Sequence, residues 1–141
     1  MDDPDSMRQW LDTLLAACNA HDVDALVDCF ADDYVNETPA HPGRGFHGRE
    51  QVRHNWTSIF AGVPNIQVRL VRAAIDGPTL WAEMAMDGNR RDGTRHGTRG
   101  VVIFTIGHGR ATHARFYLEP LDRESDGVNA FLTRSVGAST S

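Results

Sequence analysis

The chain has no apolar run near the roughly 20 residues that a membrane-spanning helix needs, so no membrane partner is expected. It has no basic opening either. Met1-Asp2-Asp3-Pro4-Asp5 is acidic, whereas a secretory leader starts basic and then turns apolar, so a cytoplasmic protein is expected. Cys18 and Cys29 form no CxxC pair and fall on apolar helical positions. They read as buried free thiols rather than a disulfide. No HxxxH or HExxH spacing occurs, and His41, His47 and His54 show no convergent spacing, so no metal and no cofactor is expected. A basic excess is also missing. The 14 Lys and Arg against 19 Asp and Glu leave a net charge of −5, which counts against sequence-independent nucleic-acid binding. With no internal repeat and no low-complexity linker, residues 1–141 are expected to form one domain, with disordered tails at 1–5 and 136–141.

What is present reads as helices followed by strands. Ser6 is a suitable N-cap, and Trp10, Leu11, Leu14, Leu15 and Cys18 recur at helical spacing up to about Ala20. Asp22 can cap a second helix with Val23, Leu26, Val27 and Phe30 on one face. Asp32-Asp33 then opens a short strand, 34–38, closed by Pro39. The loop from Pro39 to Gly48, rich in Pro, Gly and His, suits a segment over a pocket mouth. Val52, Trp56, Ile59 and Phe60 predict a third helix, stopped by Gly62-Val63-Pro64.

Four strands follow: one from Ile66 to the Asp76-Gly77-Pro78 turn, then Thr79 to Gly88, Gly97 to Ile106, and Arg110 to Leu121. A polar hairpin, Asn89 to His96, joins the middle pair around Asp92-Gly93. Residues 127–135 predict a short helix with Val128, Phe131 and Leu132. The order implies an α+β domain in which a bent sheet wraps helices around an apolar hollow suited to a small-molecule ligand.

Glu37 is the first candidate catalytic residue. A carboxylate at the edge of an apolar hollow is desolvated, which raises its pKa and makes it a base near neutral pH. His41, four residues on, is the candidate acid or orienting group. The competing readings are a surface strand end for Glu37 and a solvent-exposed loop histidine for His41. Trp56, Met84, Met86, Phe104 and Phe116 are candidate substrate-binding wall, with plain core as the alternative for each. Arg90, Arg91, Arg95, His96 and Arg99 cluster on one hairpin, where scattered ion pairs outweigh an anion site. Trp81, Glu83, Arg99, Arg115, Tyr117 and Glu119 share the outer sheet face, a mixture suited to a subunit contact.

The pattern His21-Asp22-Val23-Asp24-Ala25-Leu26, then Phe30-Ala31-Asp32-Asp33, Glu37-Thr38-Pro39 and Gly48-Arg49-Glu50 resembles the nuclear transport factor 2-like (NTF2-like) superfamily, and within it the SnoaL-like members. The run Gly109-Arg110 through Ala114-Arg115-Phe116-Tyr117-Leu118-Glu119 resembles their final strand. The resemblance implies a cone of three N-terminal helices packed in a curved antiparallel sheet, and a homodimer formed through the outer sheet face.

It implies several activities at once. Compared with ketosteroid isomerase, Glu37 stands about one residue from the base position. Leu14 stands at the tyrosine position, and Gly100 to Phe104 carries no acid. Compared with limonene epoxide hydrolase, Met84 and Met86 stand where an Arg and an Asp belong, Phe116 stands at the second Asp, and Glu37 at a water-holding Asn. Compared with the cyclases, Glu119 is the acid on the last strand, but alternation turns it outward with His113, Arg115 and Tyr117. The expectation is a cofactor-independent enzyme of cyclase, isomerase or epoxide-hydrolase type acting on a small apolar metabolite. The alternative is a non-catalytic ligand-binding or protein-interaction member of the superfamily.

Overall fold

The computed structural model describes residues 2–122 and 127–137; of the tail expected to be disordered, 136–141, residues 136 and 137 are the end and C-cap of a helix, and 138–141 lie outside the described residues. Helix α1 (Pro4–Ala20) starts earlier than its sequence pattern suggests. Asp3, not Ser6, is the cap: its carboxylate accepts from the Ser6 amide at 2.7 Å, and Pro4 sits in the first turn, where its missing N–H costs nothing. Residues 3–5 are therefore part of a capped helix, not a frayed tail. Helix α2 (Val23–Asp28) is capped by Asp22, as its sequence suggests.

The chain then turns into β1 (Phe30–Glu37), four residues earlier than expected. Phe30 does not continue the helix because it already pairs with a distant strand, opposite Ala111. A 3-10 turn at Pro42–Arg44 and a two-residue strand β2 (Phe46–His47) occupy the expected loop. Helix α3 (Arg49–Gly62) follows. Strands β3 (Gln67–Asp76), β4 (Thr79–Asn89), β5 (Arg95–Gly107) and β6 (Arg110–Pro120) complete one sheet of order β2-β1-β6-β5-β4-β3. All neighbours are antiparallel except β1 and β6, which run parallel. Helix α4 (Val128–Val136) carries Val128, Phe131, Leu132 and Val136 exposed. No helix among the described residues is long and apolar enough to cross a membrane.

The core lies between α1 and the concave face of the sheet. Met7, Trp10, Leu11, Leu14, Ala17 and Cys18 recur at three- and four-residue spacing and are all buried. They meet Leu80, Ala82 and Met84 of β4, Val102, Phe104 and Ile106 of β5, and Ala111 and Ala114 of β6. Two side chains fix α1 on the sheet. Trp10 donates its indole N–H to the Cys29 carbonyl at 2.9 Å. Asn19 acts as one more strand residue, accepting from the Val68 amide at 2.6 Å and donating to its carbonyl at 3.0 Å. Cys18 and Cys29 are free and buried, and desolvation pushes their thiols up to about 12 and about 11.

Strands β5 and β6 approach closely at Gly100, which pairs with Leu118. Gly100 there has φ 152°, and a Cβ on it would run into the Tyr117 carbonyl. Gly100→Ala is expected to cost about 2 kcal/mol or more, because the obstacle is backbone rather than a side chain that can swing away. A urea midpoint equal to wild type would contradict this.

Candidate functional site

Strand β1 sets the site. Its burial alternates, with Tyr34 and Asn36 enclosed and Val35 and Glu37 turned to the other face. Asn36 is 7% exposed and is the one buried polar residue among those described. The Tyr34 hydroxyl donates to Asn36 Oδ1 at 2.7 Å. Burial pushes the Tyr34 pKa far up, so the hydroxyl stays a donor. With Oδ1 taken, the two N–H donors on Asn36 Nδ2 remain for the hollow in front of it. Phe30 and Phe46 pack edge-on to Tyr34, with ring centroids 4.8 and 6.1 Å away, and hold it in place.

That hollow measures about 350 Å³, near the lower end for a small-molecule site. Val52, Asn55, Trp56 and Ile59 reach it from α3 at helical spacing. Ile66, Met86, Phe116 and Leu118 supply further apolar wall. His96 and Thr98 enter from the start of β5, and Arg44 from the 3-10 turn at the lip. No Asp or Glu lines the hollow among the described residues.

His96 is held in one form. Arg90 Nη2 lies 3.4 Å from its Nδ1, and since a guanidinium only donates, Nδ1 accepts and the ring proton sits on Nε2. Burial and the Arg90 charge both lower the His96 pKa, with Asp87 opposing. The imidazole is therefore neutral at pH 7 and offers a donor. On α3, Gln51 donates to Asn55 Oδ1 at 2.8 Å, leaving the Asn55 amide N–H groups uncommitted as well. Asn36, His96 and Asn55 thus each offer the hollow a donor, while the Thr98 hydroxyl, buried without a partner among the described residues, can donate or accept.

The structure brings together only some of the residues singled out from sequence. Trp56, Met86 and Phe116 line the hollow. Met84 and Phe104 do not. They are buried beneath it, around a side space of about 30 Å³ with room for little more than one water.

Glu37 does not face the hollow. Its Oε1 lies 2.9 Å from His113 Nε2 and its Oε2 3.2 Å from Arg115 Nη1, on the outer face. The His113 hydrogen bond and the two neighbouring charges hold its carboxyl below the usual range, opposite to the rise expected of an enclosed base. His41 does not join Glu37; its Nε2 lies 3.0 Å from Glu119 Oε1. The physical reason is phase. Tyr34 is the anchored inward residue, so position 36 points in and position 37 points out.

Sequence reasoning did not single out Tyr34, Asn36, Arg44, Asn55 or Thr98 for the site, and it set His96 in the basic hairpin cluster. The signal for the first pair was present: a tyrosine and an asparagine two apart on one strand share a face. The Arg-rich hairpin forms ion pairs, as its composition suggests. Arg95 and Arg99 both hold Asp87, at 3.1 and 3.2 Å, and Arg91 donates to the Ala61 carbonyl at 2.7 Å.

A family model for the SnoaL-like domain matches residues 11–114. The chain belongs to the SnoaL-like family. No curated protein matches it in sequence. Among solved structures, TsrD from Streptomyces laurentii is 22% identical, with 97% of this chain and 98% of that one covered and a TM-score of 0.69. A Mycobacterium tuberculosis protein solved in complex with estradiol-17β-hemisuccinate is 20% identical, covers 79% of this chain and 92% of its own, and has a TM-score of 0.68. An M. tuberculosis LEH-like epoxide hydrolase is also 20% identical, with 79% of this chain and 80% of that one covered and a TM-score of 0.67. These likenesses confirm the NTF2-like α+β fold of the SnoaL-like chain.

Tyr34→Phe tests the site's internal support. It strands the enclosed Asn36 Oδ1 without a donor, and the expected cost is about 1–3 kcal/mol. Thermal unfolding of the variant should fall accordingly; an unchanged midpoint would mean that Asn36 finds another partner.

Proposed function

We propose that this SnoaL-like protein binds a small, largely apolar molecule through one carbonyl or hydroxyl oxygen, which Asn36 holds inside the hollow. The observation that carries this reading is the enclosed Asn36 amide, oriented by Tyr34 in a wall that is otherwise mostly apolar. An amide so enclosed keeps the geometry of its donors at no further ordering cost, so an acceptor on the ligand finds it preorganised. Trp56, Met86 and Phe116 supply the apolar contact.

Binding is favoured over proton-abstraction chemistry. A base needs a free lone pair near the ligand. Among the described lining residues there is no carboxylate, and the His96 lone pair is already taken by Arg90. The positions of Glu37 and His41 on the outer face lend no support to their acting on a ligand in the hollow.

A medium-chain methyl ketone is a suitable probe, read by tryptophan fluorescence because Trp56 lines the wall. Wild type should show saturable binding, and Asn36→Leu should weaken it roughly tenfold, the worth of one enclosed hydrogen bond. Absence of saturable binding to wild type would sink the reading.

The outer sheet face supports a homodimer as the proposed assembly. Trp81, Ile103 and Arg115 lie side by side across β4, β5 and β6, and Glu83, Val101 and Tyr117 form the next row. Trp81 is 45% exposed and Tyr117 40%, so an apolar and aromatic centre stands open, flanked by the Glu37–Arg115 and Arg72–Glu83 pairs. Sedimentation at micromolar concentration should give twice the 15.6 kDa chain mass, and Trp81→Glu should halve it. A wild-type monomer would rule the dimer out.

A further inference from the structure

We propose that the natural ligand carries a carboxylate, paired with Arg44 at the lip of the hollow. This rests on the reading of the hollow as a small-molecule site and narrows it to one chemical class, an apolar body with an acidic end.

Arg44 closes a tight turn. The Arg44 amide donates to the His41 carbonyl at 2.9 Å, the His41 amide to the Thr38 carbonyl at 2.8 Å, and the Gly45 amide to the Pro42 carbonyl at 3.2 Å. Beyond the turn, Phe46 sits opposite Asn36 in the β1–β2 ladder. A Cβ on Gly45 would come within 3.2 Å of the Asn36 carbonyl, so the turn lies directly against the strand that bears Asn36. The base of the Arg44 side chain is thus fixed beside the polar end of the hollow.

Its charge is not used internally. Arg49, Arg53 and Arg115 nearby each hold a carboxylate, at 2.7, 2.7 and 3.2 Å. Arg44 enters no ion pair among those of the described residues. Of the two acids nearest in sequence, Glu50 lies 3.7 Å from Arg53, and Glu37 is turned to the opposite face and already has two partners there.

The hollow itself adds no competing negative charge, since its lining carries no Asp or Glu among the described residues. Asn36, His96 and Asn55 present N–H donors to it, and Arg90 stands behind His96. Three N–H-bearing side chains and a guanidinium at the rim, with no Asp or Glu among the described lining residues, disfavour an amine, which brings a positive charge. It favours a planar anion, which a guanidinium holds by two parallel hydrogen bonds.

The test compares three probes of one chain length, decanoate, decanol and decylamine, below their aggregation concentrations at pH 7, by tryptophan fluorescence. Decanoate should bind about tenfold or more tighter than decanol, in keeping with the greater strength of charge-assisted hydrogen bonds, and decylamine should bind weakest. In Arg44→Gln the decanoate-to-decanol affinity ratio should collapse towards unity, and Arg44→Lys should restore part of it. Equal binding of acid and alcohol to wild type, or a ratio that survives Arg44→Gln, overturns the proposal while leaving the hollow as a binding site. If none of the three binds wild type, the small-molecule reading falls with it.

Discussion

The parallel pairing of β1 with β6 is the contact on which the site depends. Strands β3 to β6 are joined by short turns, so their pairing follows from local chain reversal. β1 comes from the other end of the chain and finds β6 across about 80 residues, with Phe30 opposite Ala111, Val35 opposite His113 and Asn36 opposite Ala114. Both alanines are fully enclosed, and their small side chains leave room for the rings that β1 turns inward. The entry is pinned at Cys29, whose carbonyl accepts from the Trp10 indole and from the Ala111 amide, both at 2.9 Å. Arg110 adds a hydrogen bond to the Asp28 carbonyl and an ion pair with its carboxylate, each at 3.0 Å. A slip by one residue would exchange Asn36 for Glu37 inside the hollow.

The same pairing separates charge from the hollow. An ionised carboxylate in an apolar enclosure is costly unless paired, whereas an amide needs only its hydrogen bonds. Here Glu37 and Glu119 lie on the outer face with His113, Arg115 and His41. Inside stand a tyrosine, two asparagines, two threonines and a neutral histidine. The interior of the hollow thereby carries no negative charge among the described residues, and Arg44 at its lip is the one Arg or Lys that lines it among them.

The SnoaL-like family fixes the cone and leaves the chemistry open, and the residues explain how. The wall is built from positions whose first duty is packing: Trp56 tilts against Phe60 at 5.4 Å, and Phe116 meets Phe104 at 6.5 Å. Exchanging one inward side chain changes what the hollow recognises while the helices and strands behind it keep their contacts. The outer face is equally free to vary, since its rows of Trp81, Ile103, Val101 and Tyr117 stand outside the core.

Local periodicity determined much of this protein. The spacing of Trp10, Leu11, Leu14 and Cys18 placed the buried stripe of α1, and that of Val52, Trp56 and Ile59 placed the α3 wall. Alternation along β6 put Phe116 and Leu118 inward and Glu119 outward. The Asp76-Gly77 and Asp92-Gly93 turns marked two chain reversals, and the quoted motifs carried the family. These features depend on neighbours a few residues away, so the chain states them directly.

The tertiary structure decided the phase of β1 and the reach of β5. Nothing near Glu37 in sequence shows that Tyr34 is the inward anchor, because that follows from pairing with a strand formed some 80 residues later. His96 looks like a hairpin residue until β5 is seen to start at Arg95 and to carry it inward beside Thr98. Side-chain direction in a strand repeats every two residues, so one non-local register choice decides between an acid and an amide in the site.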